Sequence, residues 1–333
     1  MAATVTEASL PSGGATARQT GGGDAATTDG DRPPAIRARG LTKRYGARAA
    51  IDGIDVDIPT GVIAGFVGPN GSGKTTTIRM LLSLVAPTAG TAEVLGAPID
   101  HPADYLPRVG ALIEGPAFYW WLSGRRNLEI LAALDGTPAS RVEEVLEIVE
   151  LQDRAADRVL GYSLGMKQRL GIAAALLPSP DLMILDEPAN GLDPAGIAAM
   201  RRLLARLRDQ GVTIFISSHI LSELEQIADW ILVLKEGRLL FHGTMADLLQ
   251  RRRTSLVLVP ERADQLDALA ALLSAQGYAA ERRDHQVHVT KLSGTASEVN
   301  RRAMEGGIAL DEITHVRSNL EDTFMAITAG DAA

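Results

Sequence analysis

Apolar and polar residues alternate over 35–42 and again over 49–58, the period of strands with one face buried and the other wet. Residues 61–67, 182–185 and 212–216 are unbroken apolar runs instead, the pattern of parallel strands covered on both faces. Helical spacing occupies intervals between them, at 75–82, 140–151 and 195–210. This order predicts an α/β protein with a three-layer core and an antiparallel strand region on its N-terminal side. Past Arg251, Arg252 and Arg253 the pattern restarts on a smaller scale: strand 255–259, helix 263–276, strands 279–283 and 286–290, helix 296–305, strand 308–315. A β-α-β-β-α-β order predicts a small α+β module of ferredoxin-like form. Residues 1–34 carry almost no large apolar side chains and cannot offset the entropy of ordering, so they read as a disordered tail. The expected organisation is a tail at 1–34, a main domain at 35–250 with a helical part near 105–175, and a C-terminal module at 254–328.

Composition narrows the function classes. A chain of 333 residues has room for one large core and a smaller module. No apolar run approaches the ~20 residues of a bilayer-spanning helix. The absence of cysteine excludes disulfides and thiolate metal sites and fits a reducing compartment. A net charge of −8 argues against a nucleic-acid partner. No apolar segment follows a basic start, so no secretory signal is expected.

The chemistry begins at Gly68, Pro69, Asn70, Gly71, Ser72, Gly73, Lys74, Thr75, a match to G-x-x-x-x-G-K-[ST] set between an apolar strand and a helix that continues through Thr76. The glycines let successive N–H groups converge on phosphate oxygens, and the helix N-terminus faces the same anion. Lys74 reaches the β- and γ-phosphates, and the Thr75 hydroxyl suits Mg²⁺. Further on, Asp186 and Glu187 end an apolar strand: Asp186 is placed to hold Mg²⁺, Glu187 to act as general base toward the attacking water. Asp193 follows in a turn shaped by Gly191 and Pro194, and His219 stands at the exit of the next strand, suited to a γ-phosphate contact. Tyr45 could stack on a base or simply pack in the core. Ser163, with Gly165 close by, is either a plain helix N-cap or a phosphate grip.

Taken in order, these motifs resemble the nucleotide-binding subunit of ATP-binding cassette (ABC) transporters over residues 36–245. The resemblance implies ATP and Mg²⁺ as ligands, with Tyr45 on adenine, residues 68–75 as Walker A and residues 162–166 as the signature. It makes Asp186 and Glu187 the Walker B pair, Asp193 the D-loop and His219 the switch histidine. It also implies a P-loop core with a helical subdomain and a head-to-tail dimer, in which Ser163 and Gly165 contact ATP on the partner's Walker A. The location implied is the cytoplasmic face of the membrane, beside a membrane-spanning subunit.

Two departures from the family pattern stand out. Leu164 and Met166 occupy signature positions that are usually Gly and Gln, and Glu114 stands where a Gln is usual. A carboxylate at 114 could bind Mg²⁺ or orient water while adding charge beside the γ-phosphate. Glu114 in its loop resembles exporters of the bacitracin- and lantibiotic-immunity group, and the run 320–324 near the C-terminus resembles the end of drug- and polyketide-resistance ATPases of the same broad exporter class. Phe118, Tyr119, Trp120 and Trp121 form a cluster in the region that receives the membrane subunit in that family. Arg125 and Arg126 beside them either meet acidic groups of that partner or stay solvated. Two other readings remain open: an ATP-sensing cassette without transport, and a soluble cassette acting on ribosomes or DNA. A single Walker A, only 89 positions before Ser163, opposes the latter.

Overall fold

The computed structural model describes residues 33–115, 117–250, 254–289 and 295–317. The tail expected at 1–34 falls almost wholly outside them, as does the run 320–324.

Two long antiparallel strands, β1 (Ile36–Tyr45) and β2 (Arg48–Ile58), lead into β3 (Ile63–Val67) and then α1 (Lys74–Leu81). β4 (Ala89–Val94) returns to pair with β1, and the two-residue β5 (Ala97–Pro98) completes a sheet of order β2-β1-β4-β5. β6 (Val109–Leu112) precedes three helices, α2 (Gly124–Asp135), α3 (Ser140–Ile148) and α4 (Leu164–Leu176). β7 (Leu182–Asp186), α5 (Pro194–Asp209), β8 (Thr213–Ser218), α6 (Leu221–Glu225), β9 (Trp230–Lys235), β10 (Arg238–Thr244) and α7 (Met245–Gln250) follow. They build a second sheet of order β10-β9-β3-β8-β7-β6, parallel except for the β9–β10 hairpin.

The continuous apolar strands split their side chains between two cores. Ala64, Phe66, Leu182, Ile184, Phe215, Leu232 and Leu234 face a core shared with α1 and the antiparallel sheet. Their alternate neighbours Ile63, Val67, Met183, Leu185, Ile214, Ile216, Ile231 and Val233 face one shared with α2 to α5. Period 2 with both faces covered is what makes these strands read as unbroken apolar runs. Phe66 and Phe215 bridge neighbouring strands with ring centroids 5.3 Å apart. α5 buries Met200, Leu203, Leu204 and Leu207, one stripe at helical spacing, while its remaining residues are at least partly exposed.

The C-terminal residues form β11 (Thr254–Pro260), α8 (Leu266–Ala275), β12 (Ala280–Arg283), β13 (Gln286–Val289), α9 (Ala296–Glu305) and β14 (Leu310–Arg317). Their sheet has order β12-β13-β11-β14 and is antiparallel throughout, with a separate core of Leu256, Leu258, Leu269, Leu273, Val287 and Val299 among others. The helix expected from 263 begins as a 3₁₀ turn at Ala263–Gln265 and becomes α-helical only at Leu266. The last strand starts at Leu310, because Gly306 and Gly307 turn the chain after α9 and Ile308 is buried ahead of the ladder.

Candidate functional site

The loop between β3 and α1 is shaped by its glycines. Gly73 has φ +114°, and a Cβ there would lie 2.4 Å from Ile51 Cδ1 and 2.6 Å from the Ala50 carbonyl oxygen. At Gly68 a Cβ would meet the Leu234 carbonyl oxygen at 2.3 Å. Only glycine fits either place. Ser72 is turned inward; its N–H donates to the Pro69 carbonyl at 3.1 Å, and Pro69, Asn70 and Gly71 form the exposed rim.

Lys74 opens α1 yet is only 6% exposed. Its ammonium donates to the Gly68 carbonyl at 2.7 Å and lies 3.4 Å from Glu187 Oε1. Glu187 Oε2 lies 2.9 Å from His219 Nδ1, so the carboxylate is held between a lysine from one strand–helix junction and a histidine from another. Beside it, Thr75 Oγ1 donates to Asp186 Oδ2 at 2.8 Å. Tyr45, Asn70, Gly71, Gly73, Lys74, Thr75, Thr76 and Glu187 line one concavity of about 350 Å³. Tyr45 sits at its mouth, half exposed, with the Lys43 ammonium 5.2 Å from its ring centroid.

The hydroxyl of Thr75 and the carboxylate of Asp186 are hard oxygen donors that converge. Among the described residues no group of three or more His, Cys, Asp or Glu could cage a metal. One carboxylate and one hydroxyl, with the rest of the shell left to phosphate and water, is the donor set that suits Mg²⁺. The residues present therefore fit it.

Glu114 is not part of this cluster. It has φ +56°, is 62% exposed at its side chain and pairs with Arg79, four residues beyond Thr75 on α1. A cation on the same face of that helix holds the carboxylate that sequence reasoning put toward the metal. Ser163 and Gly165 also lie elsewhere. Ser163 caps α4 by accepting from the Met166 N–H at 3.3 Å, and Asp193 caps α5 by accepting from the Gly196 N–H at 2.8 Å. Ser163, Leu164, Gly165, Gly191, Leu192 and Asp193 border a second concavity of about 430 Å³, which shares no lining residue with the first. Just ahead, the buried Tyr162 hydroxyl donates to the Arg154 carbonyl at 2.7 Å. Burial first, and the charge of Asp157 second, push this phenol above its usual range, which keeps it a neutral donor.

Of the aromatic cluster, Phe118 is buried, whereas Tyr119, Trp120 and Trp121 are more than half exposed. Asn127, buried on α2, fixes this loop: its side chain accepts from the Tyr119 N–H at 2.8 Å and donates to the carbonyls of Tyr119 and Ser123. Lys167 lies 5.0 Å from the centroid of Trp120. Arg125 forms two bonds with Glu143, at 2.7 and 2.9 Å, and Arg126 pairs with Glu129, so both arginines already have partners within the chain. Sequence reasoning missed Asn127, Arg79 and Ser217. A polar residue inside an amphipathic helix, and a Ser-Ser pair ending an apolar strand, were the only signals for Asn127 and Ser217.

A glycine-shaped phosphate loop after the parallel strand β3, facing an Asp-Glu pair at the end of β7 with β8 between the two strands, defines a P-loop nucleotide triphosphatase. The comparisons with known proteins narrow this class. The profile described as ABC transporter matches residues 51–190. The chain is 42% identical over 304 residues to the bacitracin transport ATP-binding protein BcrA of Bacillus licheniformis, covering 89% of this chain and 97% of that one. It is 40% identical over 205 residues to the lantibiotic transport ATP-binding protein SrtF of Streptococcus pyogenes, covering 62% and 89%. The structure of cbiO1 from Clostridium perfringens, part of the ABC transporter complex cbiONQ, is similar at 25% identity with a TM-score of 0.62, covering 66% and 92%. The chain belongs to the ABC transporter family. It is an ATP-hydrolysing subunit of that family, which works with a separate membrane-spanning partner and is membrane-associated. Among the described residues no helix is long and apolar enough to cross a membrane.

Proposed function

We propose that this subunit drives export of a peptide antibiotic or a similar amphiphile, working as a homodimer on the cytoplasmic face of the membrane. The observation that carries the hydrolytic assignment is the carboxylate of Glu187, held between Lys74 and His219 beside the Thr75–Asp186 pair. In this reading Glu187 takes the proton of the attacking water. Lys74 releases it to neutralise the phosphates, and His219 keeps it aimed at the γ-phosphate. Mg²⁺, held by Thr75 and Asp186, supplies charge neutralisation of the phosphoryl oxygens. Tyr45 stacks on adenine. Glu114, paired with Arg79 here, would hold Mg²⁺ or orient water only on giving up that ion pair.

The separation of the two concavities supports the dimer: Ser163, Gly165 and Asp193 complete the ATP site of a second copy. Bacitracin and lantibiotic transport by the relatives supports the substrate class. The exposed Tyr119, Trp120 and Trp121 are the docking surface for the membrane subunit, and the remaining C-terminal module is assigned no ligand. The test is ATP hydrolysis against protein concentration, for the wild type and Glu187→Gln. Turnover rising faster than linearly, with loss of activity and an accumulated ATP-bound dimer in the variant, is expected. Turnover indifferent to Glu187 overturns the assignment.

A further inference from the structure

We propose that Ser217 is a positioning residue for hydrolysis. Its single hydroxyl clamps Asp186 to the backbone of Glu187 and decides which carboxylate oxygen faces the metal. The proposal deepens the reading above and rests on its assignment of Asp186 and Glu187.

Ser217 lies on β8 directly beside Asp186 on β7 in the parallel register, and it is 0% exposed. A hydroxyl offers one proton and two lone pairs. The proton goes to Asp186 Oδ1 at 2.5 Å, and a lone pair accepts the Glu187 N–H at 3.0 Å. Both contacts answer a specific need. β7 ends at Asp186, so the N–H of Glu187 lies beyond the strand, and Ser217 supplies its acceptor. Glu187 then takes φ +48°, a left-handed conformation that a non-glycine residue keeps only where its surroundings over-determine it. That turn carries its two carboxylate oxygens to Lys74 and His219. At Asp186 the same hydroxyl sorts two otherwise equivalent oxygens: Oδ1 is engaged by Ser217, and Oδ2 is left to meet Thr75 Oγ1, the metal-side donor. One buried side chain thus sets the orientation of the metal carboxylate and the exit angle of the general base. Outer-shell partners of this kind typically cost 10–100-fold in metal affinity or activity when removed.

The full-length chain is compared with Ser217→Ala, Ser217→Thr and Ser217→Val. Thr and Val add nearly the same volume and differ in the hydroxyl. Ser217→Ala and Ser217→Val are expected to lower kcat about 10–100-fold with KM for ATP held within about threefold, while Ser217→Thr retains most of the turnover. The second readout is independent of turnover: retention of Mn²⁺ with ATP, read by electron paramagnetic resonance, weakens in Ala and Val and not in Thr. A kcat for Ser217→Ala within about twofold of wild type overturns the clamp. So does a loss in Ser217→Thr equal to that in Ser217→Val. Asp186→Asn and Glu187→Gln run alongside: if neither lowers turnover, the assignment beneath the proposal fails, and if both do while Ser217→Ala does not, only the clamp fails.

Discussion

The phosphate-loop pocket and the signature surface are both built at helix N-termini, yet they differ in how much of their chemistry is already satisfied. In the pocket, Lys74, Thr75, Asp186, Glu187, Ser217 and His219 form one connected set of contacts drawn from α1, β7, β8 and the adjoining loops. On the signature surface, Ser163 and Asp193 each engage only the backbone of the helix they cap, and Leu164 stands exposed between them. Networked polar groups hold one another in place, whereas isolated caps leave their helix ends open to an anion brought from outside. In the proposed head-to-tail pairing, one half of the site is assembled within the chain and the other would be completed by a partner, and it is this asymmetry that supports the proposal.

The comparison breaks most sharply at Glu187. Replacing it with Gln keeps the shape of the network and removes the base, and turnover is expected to fall roughly 10²–10⁴-fold while ATP is still bound. Steady-state hydrolysis with a parallel nucleotide-binding measurement checks this. The next largest effect lies on the signature surface. Ser163→Arg should cost about 10²–10³-fold in kcat, comparable to removing a transition-state donor, with ATP affinity of the isolated chain unchanged. Mixing it with Lys74→Ala sharpens the point, because in a symmetric pair only the mixed dimer keeps one intact site, roughly a quarter of all sites in an equal mixture. Recovery of activity on mixing supports sites shared between copies, and its absence with each parent inactive argues that each chain works alone.

Tyr45→Ala is expected to weaken ATP by the ~1–3 kcal/mol typical of base–aromatic stacking, with kcat nearly unchanged, as equilibrium binding of a fluorescent ATP analogue will show. The smallest effect belongs to Arg79. An exposed ion pair is worth about 0–1 kcal/mol, so Arg79→Gln should shift the Mg²⁺ dependence of hydrolysis no more than about fivefold. The direction is toward a lower Mg²⁺ requirement, since Glu114 is freed.

Much of this arrangement was legible in the sequence, and the reasons are physical. The strands of the parallel sheet announce themselves because both faces are buried, and the phosphate loop because only glycine at 68 and 73 admits its backbone. The C-terminal order was readable because its core positions alternate or recur at helical spacing. Three kinds of feature were hidden. β6 is only four residues long and the first three residues of β4 are exposed, so their pairing with β7 and β1 is decided by neighbours distant in sequence. Arg125 and Arg126 looked available for a partner because nothing local shows that Glu143 and Glu129 lie within reach. Ser217 looked like a strand-end serine, since its contacts to 186 and 187 exist only once β7 and β8 are side by side.

Glu187, at the centre of the proposed chemistry, and Glu114, outside that cluster, share a left-handed backbone, with φ of +48° and +56°. Local geometry at both positions favours glycine or asparagine. A redesign aimed only at thermal tolerance would therefore be drawn to these two sites, and at Glu187 it would return a hardier protein that no longer turns over. Protein engineers working on this chain should hold both positions fixed from the outset.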